Sequence, residues 1–221
     1  MRLALCVAHA GWYPHRSGYE YSNPRWVPDE YGFSRQVARL AEVRLDDAGH
    51  TVRVWRKDPA TGNCHGECAP NTRRCAKYAA AMFNLYHDVR RWQPDLAIEV
   101  HINAGPPRAS GATVLSSCQY QAREWGEAWL DSYTSSQCVV SRRGRGLWWM
   151  GATSKIDSPI WHPGAKPLFG YKRFLNCGYP AVICEAGFAS SATDSAYLVT
   201  ALAVEAAAAA IVEATAEVAK V

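Results

Sequence analysis

Apolar positions along the chain follow two rhythms, a near-continuous run typical of buried strands and a three-to-four spacing typical of amphipathic helices. Leu3 to Ala8 is an unbroken aliphatic stretch bounded by Gly11, as expected of a strand covered on both faces. Gly11 to Pro28 breaks into Trp, Tyr, Pro, Gly and Asn, which predicts a long loop. Tyr31 to Ala48 then reads as a helix, with Phe33, Val37, Leu40, Ala41, Leu45 and Ala48 on one face. Asp29 is placed to cap it and Gly49 to end it.

Thr51 to Trp55 alternates as a second strand, and Arg73 to Trp92 is helical up to Pro94. Leu96 to His101 is another buried strand, and Ala112 to Ser116 a short one. Gln119 to Tyr133 is predicted helical, with Ala122, Trp125, Trp129 and Tyr133 on one side. Ser141 to Tyr171 is rich in tryptophan and loop residues and predicts no element. Pro180 to Cys184 is a short apolar strand, and Ser191 to Lys220 a single long closing helix. Alternating strands and helices predict an α/β fold, a single twisted and mostly parallel sheet with helices on both faces. With no internal repeat or linker, residues 1–221 read as one domain carrying a Cys-rich insertion at about 59–75.

Composition narrows the class. Of the 221 residues 48% are hydrophobic and only 20% charged, enough apolar surface for a sizeable core and too little charge for disorder. The net charge of +4 is too small and scattered to argue nucleic-acid binding. The N-terminal run is too short to span a membrane. A secretion signal cut there would remove His9, so the run reads as a strand. The Ala-rich tail carries Glu205, Glu213, Glu217 and Lys220 and reads as a helix of a soluble domain, not an anchor.

In open α/β sheets ligands gather outside the carboxyl ends of the strands. Three predicted strands end there in an ionisable residue, His9, His101 and Glu185, and Glu30 opens a helix beside the same edge. Catalytic zinc takes three ligands drawn from His and carboxylate and keeps one position open. His9, Glu30 and His101 suit that set, and Glu185 suits a base that carries water's proton. Each residue also has a plainer reading. A strand-end His is often a hydrogen-bonded structural group, and an acidic residue at a helix start answers the macrodipole. Glu20 and Asp29 are rival carboxylates. Glu185 is the least expected structurally, because a carboxylate emerging from a buried strand costs free energy without a partner.

The segments Val7-Ala-His-Ala-Gly11, Glu30 with its helix, Glu99-Val-His-Ile-Asn-Ala104 and Pro180-Ala-Val-Ile-Cys-Glu-Ala-Gly-Phe188 resemble, in order, the zinc-dependent "amidase 3" family of N-acetylmuramoyl-L-alanine amidases. Val54-Trp-Arg-Lys-Asp58 is similar to the family's Thr-Arg-x-x-Asp segment. The resemblance implies that His9, Glu30 and His101 are the zinc ligands and Glu185 the catalytic glutamate. It implies cleavage of the amide between the lactyl group of N-acetylmuramic acid and L-alanine of the stem peptide. Ala8 and Ala10 depart from the glycines that flank the family's first ligand, and the long His9 to Glu30 gap keeps Glu20 in contention. Asn103 either binds substrate or holds its own loop.

Four potential ligands crowd the insertion, Cys64, His65, Cys68 and Cys75. They suit a second, structural zinc, thiols that stay reduced, or one disulfide formed after release. Cys6, Cys177 and Cys184 lie in or beside apolar strands as small core residues. Trp12, Tyr13, Trp148, Trp149 and Trp161 either line a glycan–peptide groove or pack in the core.

The expectation is therefore a monomeric peptidoglycan amidase with no nucleic-acid or membrane partner, a phage endolysin made in the host cytoplasm and acting on the wall, or else a bacterial enzyme exported by other means. Its rivals are a zinc carboxypeptidase of wall peptides, with Arg142, Arg143 or Arg145 holding a free carboxylate, and a non-catalytic wall-binding protein with a structural metal.

Overall fold

The computed structural model describes residues 1–8, 30–56, 85–106, 108–135, 142–149, 174–175 and 178–220. Their elements are β1 (Arg2–Val7), α1 (Glu30–Asp47), β2 (Thr51–Trp55), β3 (Leu96–Asn103), β4 (Ala112–Ser116), α2 (Tyr120–Ser135), β5 (Arg142–Trp149), β6 (Ala181–Phe188), α3 (Ala192–Leu198) and α4 (Ala201–Val218). Residues 85–92 are helical as well. The strands form one sheet in the order β2-β1-β3-β6-β4-β5. The first four are parallel, β4 runs antiparallel to β6, and β5 is parallel to β4. This is the expected mostly parallel α/β sheet.

Strand alternation sorts the core into two layers. Leu96, Ile98, Val100 and Ile102 of β3 join Leu3, Leu5 and Val7 of β1 in one layer, where Phe33, Val37, Ala41 and Leu45 of α1 pack with residues of α2, α3 and α4. On the opposite face Ala97 joins Ala4, Cys6 and Ile183 under Tyr86, Val89, Phe174 and Tyr179. Full burial of a side chain such as Leu45 contributes about 1.5–3 kcal/mol, so the first layer is the main source of stability. Trp125, Trp129 and Tyr133 of α2 are fully buried, as their spacing predicts. The Trp125 indole donates to Thr215 of α4 at 3.1 Å. Gly126 lets α2 settle on the sheet, since a Cβ there would come within 2.9 Å of Leu147 and 3.0 Å of Val114.

Helix α1 ends as Gly49 foretold. Gly49 has φ of 82°, its N–H donates to Asp46, and the His50 N–H reaches back to Leu45, a Schellman closure.

Three expectations need correction. Residues 142–149 are strand β5, not loop: the Arg/Gly-rich start hides the alternation, and the register with β4 shifts between Ala112 and Val114. The closing helix is two helices bent by 83° at residues 199–200. There the Thr200 hydroxyl accepts the Ala203 N–H and starts α4 anew. Strands β3 and β6 also run past His101 and Glu185, to Asn103 and Phe188. The Cys-rich insertion and the Gly11 to Pro28 segment lie outside the described residues. Among the described residues no single helix is long and apolar enough to cross a membrane; α3 and α4 meet that test only as a bent pair.

The turn after β6 is organised by Asp194, which is fully buried. Its carboxylate accepts the Phe188 N–H at 2.9 Å, the Gly111 N–H at 2.8 Å and the Ser110 hydroxyl at 2.6 Å. Asp194→Ala would strand two buried amide donors, each costing about 1–3 kcal/mol. Urea denaturation is expected to show a loss on the order of 3 kcal/mol; an unchanged midpoint would refute the organising role.

Candidate active site

The site is built from the carboxyl end of β3. His101 pairs across the parallel ladder with Glu185 of β6, so both side chains leave the same sheet face on strands about 4.8 Å apart. Glu185 also sits opposite Thr113 of β4. All three residues are buried. Just beyond, β6 gains one residue over β3 between the His101–Glu185 and Asn103–Phe188 pairs, a bulge that contains Gly187. Gly187 has φ of 155°, and a Cβ there would press on Asp194 at 3.3 Å. The Tyr133 hydroxyl donates to the Ala186 carbonyl at 3.0 Å, pinning the residue after Glu185 to α2.

Glu30 enters from the first turn of α1. Its Oε1 accepts the Ile102 N–H at 2.9 Å and lies 3.0 Å from His101 Nδ1. The helix start is held against β1 as well, because Ser34 Oγ accepts the Ala8 N–H at 2.9 Å. Ala8 is the last described residue before His9. His9 itself, Glu20, Asp29, and the cluster Cys64, His65, Cys68 and Cys75 lie outside the described residues. Of the proposed site residues, Glu30, His101 and Glu185 are thus gathered at one edge of the sheet.

Asn103 shows the loop-holding contact of its two expected roles, its Oδ1 accepting the Ala104 N–H at 2.8 Å. Cys6 and Cys184 are buried reduced thiols, as expected of core residues, and Cys118 is exposed. Trp148 is buried in the second core layer, which sets it among packing residues.

Sequence reading gave no role to Glu99, which the structure brings to the other side of the imidazole. Glu99 Oε2 lies 3.5 Å from His101 Nε2 and accepts the Tyr86 hydroxyl at 3.3 Å. The signal was present in the strand period, since residues 99 and 101 share a face, and a charged residue inside an apolar run is costly. His101 is consequently held between two carboxylates. Burial alone would lower its pKa. The charge of Glu99 beside the ring, the hydrogen bond to Glu30 and the charge of Glu30 outweigh burial and raise the pKa to about 10. Burial, then the nearby Glu185 charge, push the Cys184 thiol well above its usual range.

Among the described residues no group of three His, Cys, Asp or Glu is placed to hold a metal ion. The donor set nonetheless suits one. Glu30 and His101 are an oxygen and a nitrogen donor 3.0 Å apart, close to the about 3.3 Å separating two tetrahedral ligands with bonds near 2 Å. Two buried carboxylates, Glu30 and Glu99, flank the imidazole, and a third, Glu185, is its ladder neighbour, an excess of negative charge that a cation would offset.

The profile of the family described as N-acetylmuramoyl-L-alanine amidase, Amidase_3, matches residues 5–217. No curated protein sequence matches the chain. Among solved structures, the CwlD amidase from Clostridioides difficile, in complex with the GerS lipoprotein, superposes with a TM-score of 0.71 at 15% identity, covering 99% of this chain and 98% of that one. The catalytic domain of the CD27L endolysin, which targets Clostridia difficile, gives 0.65 at 21% identity over 98% and 97%. The amidase Ami1 from Mycobacterium smegmatis gives 0.61 at 16% identity over 99% and 96%. These likenesses establish the fold, and the profile match establishes the family.

The clasp around His101 makes stability depend on pH when no metal is bound. The imidazole keeps its proton up to about 10 in the folded chain and near 6.5 in the unfolded one. Its stabilising contribution is complete below about pH 6.5 and is lost as pH rises through about 10. Chelator-treated protein unfolded in urea across that range is expected to weaken toward alkaline pH, and His101→Ala to flatten the decline. Equal slopes in both proteins would refute the clasp.

Proposed function

The chain belongs to the N-acetylmuramoyl-L-alanine amidase family, and from that premise we propose that it is a zinc-dependent amidase in which Glu30 and His101, with His9, hold the metal and Glu185 moves the proton. Peptidoglycan amidase activity is the property of the family. The observation that carries the finer reading is the convergence at one sheet edge of a helix-borne carboxylate, a strand-borne imidazole and a second strand-borne glutamate.

Zinc held there would make hydroxide available near neutral pH and polarise the scissile carbonyl. The residues of the chain supply the rest. Glu30 is fixed by the Ile102 N–H, so its second donor direction is set before any ligand arrives. Glu185 stands beside His101 across the ladder, within reach of a group bound there. In this role it takes the proton of the attacking water and returns it to the departing L-alanine amine, so the products are a neutral stem peptide N-terminus and a free lactyl carboxyl.

We further propose that the enzyme is an endolysin, made in the host cytoplasm and acting on the wall at lysis. The support is likeness to an endolysin catalytic domain over 98% of this chain. The family match favours an amidase over a carboxypeptidase or a non-catalytic binder.

Digestion of purified wall, followed by mass spectrometry, is expected to release whole stem peptides beginning in L-alanine, and chelator to stop the release. Single amino acids as products would overturn the bond assignment. Glu185→Gln is expected to retain zinc while kcat falls by about 100–10,000-fold; full turnover would remove Glu185 as the proton carrier. Metal analysis is expected to give one zinc for the site, and a second only if the Cys64, His65, Cys68 and Cys75 cluster binds its own.

A further inference from the structure

Glu99 and Tyr86 are absent from the reading above. Glu99 is 1% exposed, against 8% for Glu30, and its ladder partners are Cys6 and Ile183, both apolar core residues. An ionised carboxylate there carries a desolvation cost of several kcal/mol unless hydrogen bonds and charge offset it. Leu or Met would fill such a place without that cost, so packing alone does not explain a glutamate.

Its contacts do. Residues 99 and 101 lie on the same face of β3, about 6.6 Å apart along the strand, which puts the Glu99 carboxylate under the imidazole. Its Oε2 meets His101 Nε2 at 3.5 Å and accepts the Tyr86 hydroxyl at 3.3 Å. The two carboxylates around the ring are not equivalent in place. Glu30 comes from a helix start and is bonded to the Ile102 N–H near the carboxyl end of the strand, where the chain leaves the sheet. Glu99 lies one pleat deeper, toward the middle of the sheet. A ring nitrogen that binds a ligand must face the edge; the one facing inward is left to donate.

We infer that Glu99 is a positioning residue for the metal site: held by Tyr86 and facing His101 Nε2 at 3.5 Å, it is placed to take the Nε2–H when the other nitrogen binds the metal, which fixes the ring and its tautomer and presents Nδ1 as the ligating nitrogen. The inference rests on the proposal that His101 binds zinc. Carboxylates behind ligating histidines orient the ring and raise its basicity, and their loss weakens metal binding by about 10–100-fold. The Tyr86 hydroxyl limits the motion of Glu99, so the order of effects runs Glu99 first and Tyr86 second.

The test is zinc affinity, by competition with a chelator, in the full chain and in Glu99→Gln, Glu99→Met, Tyr86→Phe and His101→Ala. Glu99→Gln keeps an acceptor but loses the charge, and is expected to weaken zinc about 10-fold. Glu99→Met, which loses both, is expected to approach about 100-fold, and Tyr86→Phe a smaller loss. A second readout needs no variant. In zinc-loaded wild-type protein, nitrogen-15 NMR of the histidine ring is expected to show a proton on Nε2, shifted downfield and slow to exchange, and none on Nδ1. A proton on Nδ1, or wild-type affinity in both Glu99 variants, would overturn the inference. Absence of zinc binding by wild-type protein, or unchanged binding in His101→Ala, would instead overturn the zinc reading beneath it.

Discussion

One carboxylate oxygen of Glu30 joins the two halves of the site. It accepts the Ile102 N–H and faces His101 Nδ1, so it ties the first turn of a helix to the end of a central strand. The tie is buried, where an ionised carboxylate is tolerated only with hydrogen bonds and charge partners. The rest of α1 serves to keep that turn in place. Phe33, Val37, Ala41 and Leu45 anchor it to the first core layer, Ser34 holds the end of β1, and the Gly49 closure ends the helix where β2 must begin.

The same economy is seen around Glu185. A parallel ladder sets its position across from His101, and an antiparallel neighbour, β4, closes the other side. The strand then changes register at the Gly187 bulge, whose backbone a side chain would strain. Asp194 captures the Phe188 amide and Tyr133 the Ala186 carbonyl, so the residues on the far side of Glu185 have little room to shift. Rigid elements, and not loops, carry the described part of the site, which suits chemistry sensitive to small displacements.

Charge gives the arrangement its cost and its use. Without a metal, His101 holds a proton between Glu99 and Glu30. In the proposed zinc enzyme the metal would take the place of that proton beside the carboxylates. A metal that binds there must displace that proton, so metal binding and proton release are coupled. The first core layer supplies the stability that lets so many carboxylates remain buried.

The amino-acid sequence by itself determined the α/β class, the faces of α1 and α2, the Gly49 stop and the identity of Glu30, His101 and Glu185 as chemical candidates. These follow from local period and from ordered motifs, which need no knowledge of distant contacts. The β5 strand escaped notice because its Arg- and Gly-rich start lacks alternation, and the α3–α4 break because one Thr hydroxyl outweighs an otherwise continuous helical pattern. Only the tertiary structure decided that Glu30 meets His101 from 71 residues away, that Glu99 lies behind the same ring, and that Asp194 gathers Gly111 and Phe188. Such contacts depend on strand order and register, which hydrophobic patterning constrains to a face but not to a neighbour.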